Sequence, residues 1–290
     1  FEIILSLLKS ESHIRAIERQ LKISHSSIIK KLENLAKENI LDSKTEGKNK
    51  IFFIKKTFQA KNYVYNAERY KLLKLVECYP ERANSIVKLL NKLDYNLEID
   101  IYSIYNNVFP NLDYDGYIIS GGIIRVVELN LYPYLEKMQD IIKELIKISK
   151  PILGICLGHQ LIASALKGRV MEAKEVEVGL KKIIKFNDNS KICNGLDKEF
   201  YAFCYHWDVV QSIPLGFKTV ASSELCKIHI MEHMSKPVFG IQFHIEYDKD
   251  EVKEILDFLK EEIIEEGYDY DKILKDLELY DSDISSKIIG

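Results

Sequence analysis

No stretch of this 290-residue chain stays apolar for the roughly 18 residues that a membrane-spanning helix requires, and the N-terminus lacks the basic region and apolar core of a secretory signal. The expectation is a cytoplasmic protein with no membrane partner. No Cys-x-x-Cys pair occurs among the five cysteines, Cys78, Cys156, Cys193, Cys204 and Cys226. An odd set without pairing argues against both a disulfide framework and a zinc site, and four of the five are expected to be small, buried apolar side chains. A Gly-x-x-x-x-Gly-Lys-Ser/Thr phosphate loop and a second catalytic domain are also missing, so any acceptor-activating chemistry would need a separate partner. Repeats and low-complexity tracts are absent. No cofactor and no metal are expected.

What is present is ordinary for a globular protein: 47% apolar residues, 29% charged, and a length that accommodates two domains. The net charge of −3 is unevenly spread. Through Arg69 there are 14 Lys/Arg against 8 Asp/Glu, and the remainder holds 27 against 36. A basic head joined to an acidic body implies two domains with different partners. The chain opens at Phe1 without a methionine and closes at Gly290 after an apolar Ile288-Ile289 pair, so either end can belong to a longer chain.

Residues 1–58 read as three short helices and a hairpin. Phe1, Ile4, Leu5 and Leu8 share one helical face; Ile14, Ile17 and Leu21 a second; Ile28, Ile29, Leu32 and Leu35 a third. Ser24 can cap the third helix by accepting from its first-turn amides. Ile40 to Ser43 and Ile51 to Lys55 alternate as strands around the turn-forming Glu46-Gly47-Lys48-Asn49. This order resembles a winged helix-turn-helix DNA-binding domain. The resemblance implies that Ser26, Ser27, Lys30 and Lys31 lie on or near the helix that enters the major groove, with Lys44, Lys48 and Lys50 on the wing. The same lysine-rich surface can equally be the solvated face of a protein-docking winged helix. Residues 59–69 read as a linker whose Tyr63 and Tyr65 pack between domains or form a homodimer contact.

Residues 70–290 alternate strands and helices. Lys71 to Cys78, Leu97 to Ile104, Gly116 to Ser120 and Pro151 to Ile155 read as strands, with helices over Glu81 to Leu93 and Glu136 to Ile148. That alternation predicts an α/β fold, a mainly parallel, flavodoxin-like sheet flanked by helices, with ligands at the carboxyl ends of the strands. Asp248 to Lys275 reads as a charged helical stretch with a solvated face.

Two features carry chemistry. In Gly154-Ile155-Cys156-Leu157-Gly158-His159-Gln160 a cysteine stands between glycines after an apolar strand and before a helix-forming run. Such a turn exposes the thiol to the positive end of a helix, which favours the nucleophilic thiolate. In Gln242-Phe243-His244-Ile245-Glu246 a His and a Glu two apart can supply a base and its orienting carboxylate. His159 reads as a structural residue.

With Asp115-Gly116-Tyr117-Ile118-Ile119-Ser120-Gly121-Gly122 and Tyr205-His206-Trp207-Asp208-Val209-Val210, these blocks stand in the order of the class I (triad-type) glutamine amidotransferases, and the chain resembles the glutaminase subunits of GMP synthases within them. The resemblance implies a Cys156, His244, Glu246 triad, an oxyanion hole from the amides of Gly122 and Leu157, and glutamine contacts at Gly121, Gln160 and His206. It implies hydrolysis of glutamine through a thioester, with ammonia passed to a separate synthetase subunit. Two other readings stay open: a DNA-binding regulator whose body senses glutamine, and a γ-glutamyl hydrolase. Ile123 stands where the family usually has a proline near the glycine pair, and Ile245 replaces the proline of His-Pro-Glu. A bulky residue beside Gly122 predicts a displaced oxyanion donor and weak activity that rises with a partner.

Overall fold

The computed structural model describes residues 25–37, 41–46, 49–54, 81–92, 97–122, 124–186, 190–280 and 284–289, which fall into two compact units, Phe1–Pro80 and Glu81–Gly290. In the first unit, α1 (His25–Lys37) buries Ile28, Leu32 and Leu35 on one face, the i, i+4, i+7 stripe expected of an amphipathic helix. Strands β1 (Leu41–Glu46) and β2 (Asn49–Ile54) pair antiparallel from Leu41 with Ile54 to Glu46 with Asn49. Lys30 and Lys31 are exposed on α1, Lys44 lies on β1 and Lys50 on β2. The first two helices expected of the head, the Ser24 cap, Lys48, the linker tyrosines and the strand expected at Lys71 to Cys78 lie outside the described residues.

The second unit is built on one seven-stranded sheet of order β3-β4-β9-β8-β7-β5-β6. Its strands are β3 (Tyr117–Ile119), β4 (Ile152–Ile155), β5 (Arg169–Lys185), β6 (Glu199–Ser212), β7 (Phe217–Ser222), β8 (Ile230–His233) and β9 (Val238–Ile241). Only β3, β4 and β9 run parallel; the four pairings from β9 to β6 are antiparallel. The expected mainly parallel sheet is therefore corrected to a mixed one. Parallel neighbours need a long crossover, which the chain provides between β3 and β4, whereas β6, β7, β8 and β9 follow one another through the short connections 213–216, 223–229 and 234–237.

Helix α2 (Glu81–Lys92) places Leu89 in the core and ties Ser85 to Glu251 at 3.0 Å. Helix α3 (Pro133–Lys147) carries the crossover from β3 to β4. It starts on a proline, whose missing N–H costs nothing at a first turn, and buries Leu135, Met138, Ile142, Leu145 and Ile146. The segment expected as a strand from Leu97 forms none: residues 97–103 have no regular structure, and Leu97 and Ile101 are 46% and 58% exposed. Their apolar alternation has no covered face to occupy.

Helix α4 (Leu157–Ala165) follows β4 without a loop and buries nearly every residue. The charged C-terminal stretch breaks into α5 (Lys249–Phe258), α6 (Lys260–Glu265) and α7 (Tyr270–Asp276), with a further short helix α8 (Ile284–Ile289). Asp248 and Glu251 close a reciprocal capping box at the start of α5. Beneath the solvated face, Val252, Leu256, Leu259 and Ile263 cover Val178, Leu180 and Phe203 of the antiparallel half. Among the described residues no helix is long and apolar enough to cross a membrane.

Candidate active site

The carboxyl ends of β3 and β4 meet where Cys156 joins strand to helix. Cys156 has φ 50° and ψ −100°, a conformation that non-glycine residues avoid and that costs about 1–3 kcal/mol. It is held by its N–H donating to the Ile241 carbonyl at 2.8 Å and by its own carbonyl accepting from Gln160 N at 3.1 Å. The flanking glycines are required by close backbone approach. A Cβ on Gly158 would lie 2.1 Å from the Ile119 carbonyl oxygen, and one on Gly154 would lie 2.5 Å from the carbonyl group of Gly158. Strand β3, the end of β4 and the first turn of α4 therefore pack backbone to backbone, and Cys156 stands at the helix N-terminus. Leu157, first in that helix, carries one of the amides that a helix leaves without an internal acceptor.

His244 lies beyond β9, joined to β6 by one isolated bridge in which its N–H donates to the Phe203 carbonyl at 2.8 Å. Its Nδ1 is 2.7 Å from Oε1 of Glu246, and Oε2 of Glu246 accepts from the Ile245 amide at 3.0 Å. Ile245 thus supplies a backbone donor that proline cannot, and its side chain packs in the core. Burial pushes the His244 imidazole down, but the Glu246 carboxylate and Cys156 outweigh it and hold the ring up at about 10. Burial likewise raises Glu246, and the imidazolium overcomes this to keep the carboxyl below its usual range. A Cβ on Gly121 would lie 2.8 Å from Cε1 of His244 and 3.5 Å from the Cys156 Cβ, so cysteine and histidine converge over that glycine. Gly122 follows it, half-buried; Ile123 lies outside the described residues.

Gln160 and His206 face other partners. The buried Gln160 amide donates to the Asp208 carbonyl at 2.8 Å and reaches Oε1 of Gln242 at 3.3 Å. His206 is buried with Nε2 2.9 Å from Glu177. Burial and the neighbouring His229 and His206 push the His159 imidazole down to about 3, leaving it a neutral core residue. Two contributors were not singled out from the sequence. Gln242 donates Nε2 to the Cys156 sulfur at 3.6 Å, while the thiol itself points to the Tyr205 carbonyl at 3.9 Å. Arg125, three residues after the glycine pair, binds the buried Asp208 through Nε at 2.9 Å and Nη2 at 2.5 Å and reaches Glu172 at 3.3 Å. That ion pair fastens the loop beyond Gly122 to β6. Nothing in the local pattern links two charges 83 positions apart.

A cysteine at a strained strand-to-helix turn, facing an imidazole oriented by a carboxylate, has the arrangement of a candidate nucleophile and base on an α/β sheet. The family model described as glutamine amidotransferase class-I matches residues 74–260. The chain belongs to that family. It is similar to the glutamine-hydrolyzing GMP synthase subunit of Methanocaldococcus jannaschii, 39% identical over 136 residues, which is 47% of this chain and 66% of that protein. The corresponding GMP synthase subunit of Sulfurisphaera tokodaii is 42% identical over 135 residues, 46% of this chain and 68% of the relative. The aligned stretch thus spans about two thirds of each relative. A glutamine amidotransferase from Thermotoga maritima has a similar solved structure, with TM-score 0.58 and 25% identity over 66% of this chain and 84% of that one.

Proposed function

We propose that the second unit hydrolyses glutamine to glutamate and ammonia through a thioester, and hands the ammonia to a separate synthetase subunit. The observation that carries this is the convergence of Cys156 and the Glu246-bound imidazole of His244 over Gly121. With His244 held at about 10, the imidazole is already protonated at neutral pH, beside a sulfur that Gln242 contacts through N–H. The thiolate attacks the side-chain amide carbon of glutamine. The amides of Gly122 and Leu157 receive the oxyanion, each such donor being worth about 100- to 1,000-fold in turnover. The imidazolium protonates the departing nitrogen, the C–N bond breaks and ammonia leaves. The neutral imidazole then takes a proton from water, whose oxygen attacks the thioester and returns the thiol.

Gly121 borders the space where glutamine would enter, and the contacts of Gln160 and His206 suit them to fixing β6 behind it. Membership of the family and the GMP synthase relatives support a partnered glutaminase of the GMP synthase kind. The purified chain is expected to release glutamate and ammonia from glutamine, faster with a synthetase partner and its acceptor nucleotide than alone. Release of glutamate from γ-glutamyl peptides with none from glutamine would replace this reading with a γ-glutamyl hydrolase.

The head supports a second role. A helix with exposed Lys30 and Lys31 followed by an antiparallel hairpin suits a winged helix on duplex DNA. Neutralising Lys48 and Lys50 is then expected to reduce the log–log salt slope of binding by up to about two units, at about 0.9 per phosphate contact. Anisotropy titrations over random duplexes measure it, and no binding at low salt would make the head a protein-docking module.

A further inference from the structure

Behind Cys156, four side chains that the amide chemistry does not use meet in the interior. Glu177 of β5 and His206 of β6 are register partners across the antiparallel pair. Cys204 precedes His206 by two residues and shares its face of the strand. His229, just ahead of β8, is fixed by its N–H donating to the Ala221 carbonyl at 2.9 Å and its carbonyl accepting from Gln242 N at 2.8 Å. One ligand atom from each of the four lies within 4.8 Å of the others. All four residues are at most 2% exposed.

These groups meet as ion pairs only where an imidazole is protonated, and no hydrogen bond joins them. Nε2 of His206 and Nε2 of His229 stand 2.9 and 3.0 Å from the same oxygen, Oε2 of Glu177. Neither approach has hydrogen-bond geometry, and all three atoms are buried without a hydrogen-bond partner. The other carboxylate oxygen, Oε1, accepts from Ser223 Oγ at 2.5 Å, which turns Oε2 toward the imidazoles. An outer-shell hydroxyl of this kind is what orients a metal-binding carboxylate. The Cys204 thiol makes only a long 3.8 Å contact to the Ala202 carbonyl. Two aromatic nitrogens converging on one carboxylate oxygen, beside a thiol, is a costly arrangement in an apolar interior. A cation among them would satisfy every member.

We propose that Glu177, Cys204, His206 and His229 form a closed structural site for a divalent transition metal, zinc by its ligand chemistry. Two imidazoles, a thiolate and a carboxylate make the mixed N, S and O set that Zn²⁺ accepts in tetrahedral geometry. Charge balances, because one carboxylate and one thiolate meet the two positive charges. On binding, the Cys204 S–H bond breaks and its proton passes to solvent, a sulfur–metal bond forms, both histidines bind neutral, and no electron is transferred. With four protein donors no position is left for water, so the ion clamps β5, β6 and the entrance to β8 and takes no part in amide hydrolysis. The positions 177, 204, 206 and 229 follow no metal-binding spacing, which is why the cysteine pattern pointed the other way.

The test uses the whole chain without a histidine tag. Protein purified without chelator is expected to hold about one zinc ion per chain, and a different first-row metal at that ratio would support the site and correct its ion. After chelator treatment, Co²⁺ uptake should give the near-ultraviolet band of a cobalt–thiolate bond. That band should vanish in Cys204→Ser while the visible cobalt bands remain, and His229→Gln should lose bound metal. Because a buried substitution can unfold the chain, wild-type protein is also melted: chelator should lower the Tm and added Zn²⁺ restore it. Protein that holds no metal, takes up no Co²⁺ and melts alike with and without chelator overturns the proposal. So does Co²⁺ bound with unchanged spectra in folded Cys204→Ser and His229→Gln.

Discussion

Cys156→Ala is expected to lower glutamine hydrolysis by about ten-thousand-fold or more, the scale lost when a covalent nucleophile is removed from an otherwise intact site. The other cysteines of the second unit do not substitute for it. Cys193, Cys204 and Cys226 are buried, and burial pushes each of their thiols up, away from the reactive thiolate. Glutamate release measures the loss, and mass spectrometry after treatment with a glutamine-analogue electrophile measures the site. Wild-type protein should carry one label on Cys156 and the variant none. A label that persists on another cysteine would move the nucleophile and take the thioester route with it.

Glu246→Gln is the second large effect, expected to reduce turnover by about 1,000- to 10,000-fold with little change in fold at neutral pH. An amide of the same shape still contacts Nδ1 but no longer holds a charge there, so the imidazolium loses the partner that raises it most. The sign in stability follows from the directions of the two shifts. The lowered Glu246 contributes stability above its ordinary carboxylate range, and this is lost as pH falls through its folded value. The raised His244 contributes stability that is complete below about 6.5 and fades as pH rises toward about 10. Melting curves of the two proteins should therefore differ most near pH 5–6 and converge as pH climbs through that window. A gap that widens from pH 7 to 10 would mean that the histidine is neutral in the resting protein.

The blocks that hold the candidate triad were legible because each is local. A glycine-flanked cysteine between strand and helix, and a His-x-Glu pair, state their geometry within a few residues, and Cys156, His244 and Glu246 come together as those patterns imply. The parallel core strands Tyr117–Ile119 and Ile152–Ile155 were readable as short apolar runs for the same reason. What stayed hidden depends on pairing between distant segments. Period and composition do not tell whether β5 lies beside β4 or beside β6, so the antiparallel half of the sheet was not foreseen. The meeting of Glu177 with His206 comes from the register across β5 and β6, and the link from Arg125 to Asp208 and the approach of His229 likewise join segments far apart in the chain. His206 could be noticed in its motif, but only the pairing with Glu177 gives its direction.

The turn is fixed by main-chain atoms, with Gly154 and Gly158 pressed against neighbouring backbone, while the sulfur makes only long contacts, to Gln242 at 3.6 Å and the Tyr205 carbonyl at 3.9 Å. Chemistry and form at this point are therefore inherited separately. A descendant that exchanges Cys156 for a smaller side chain gives up the reaction and keeps the elbow, whereas one that alters either glycine forfeits both.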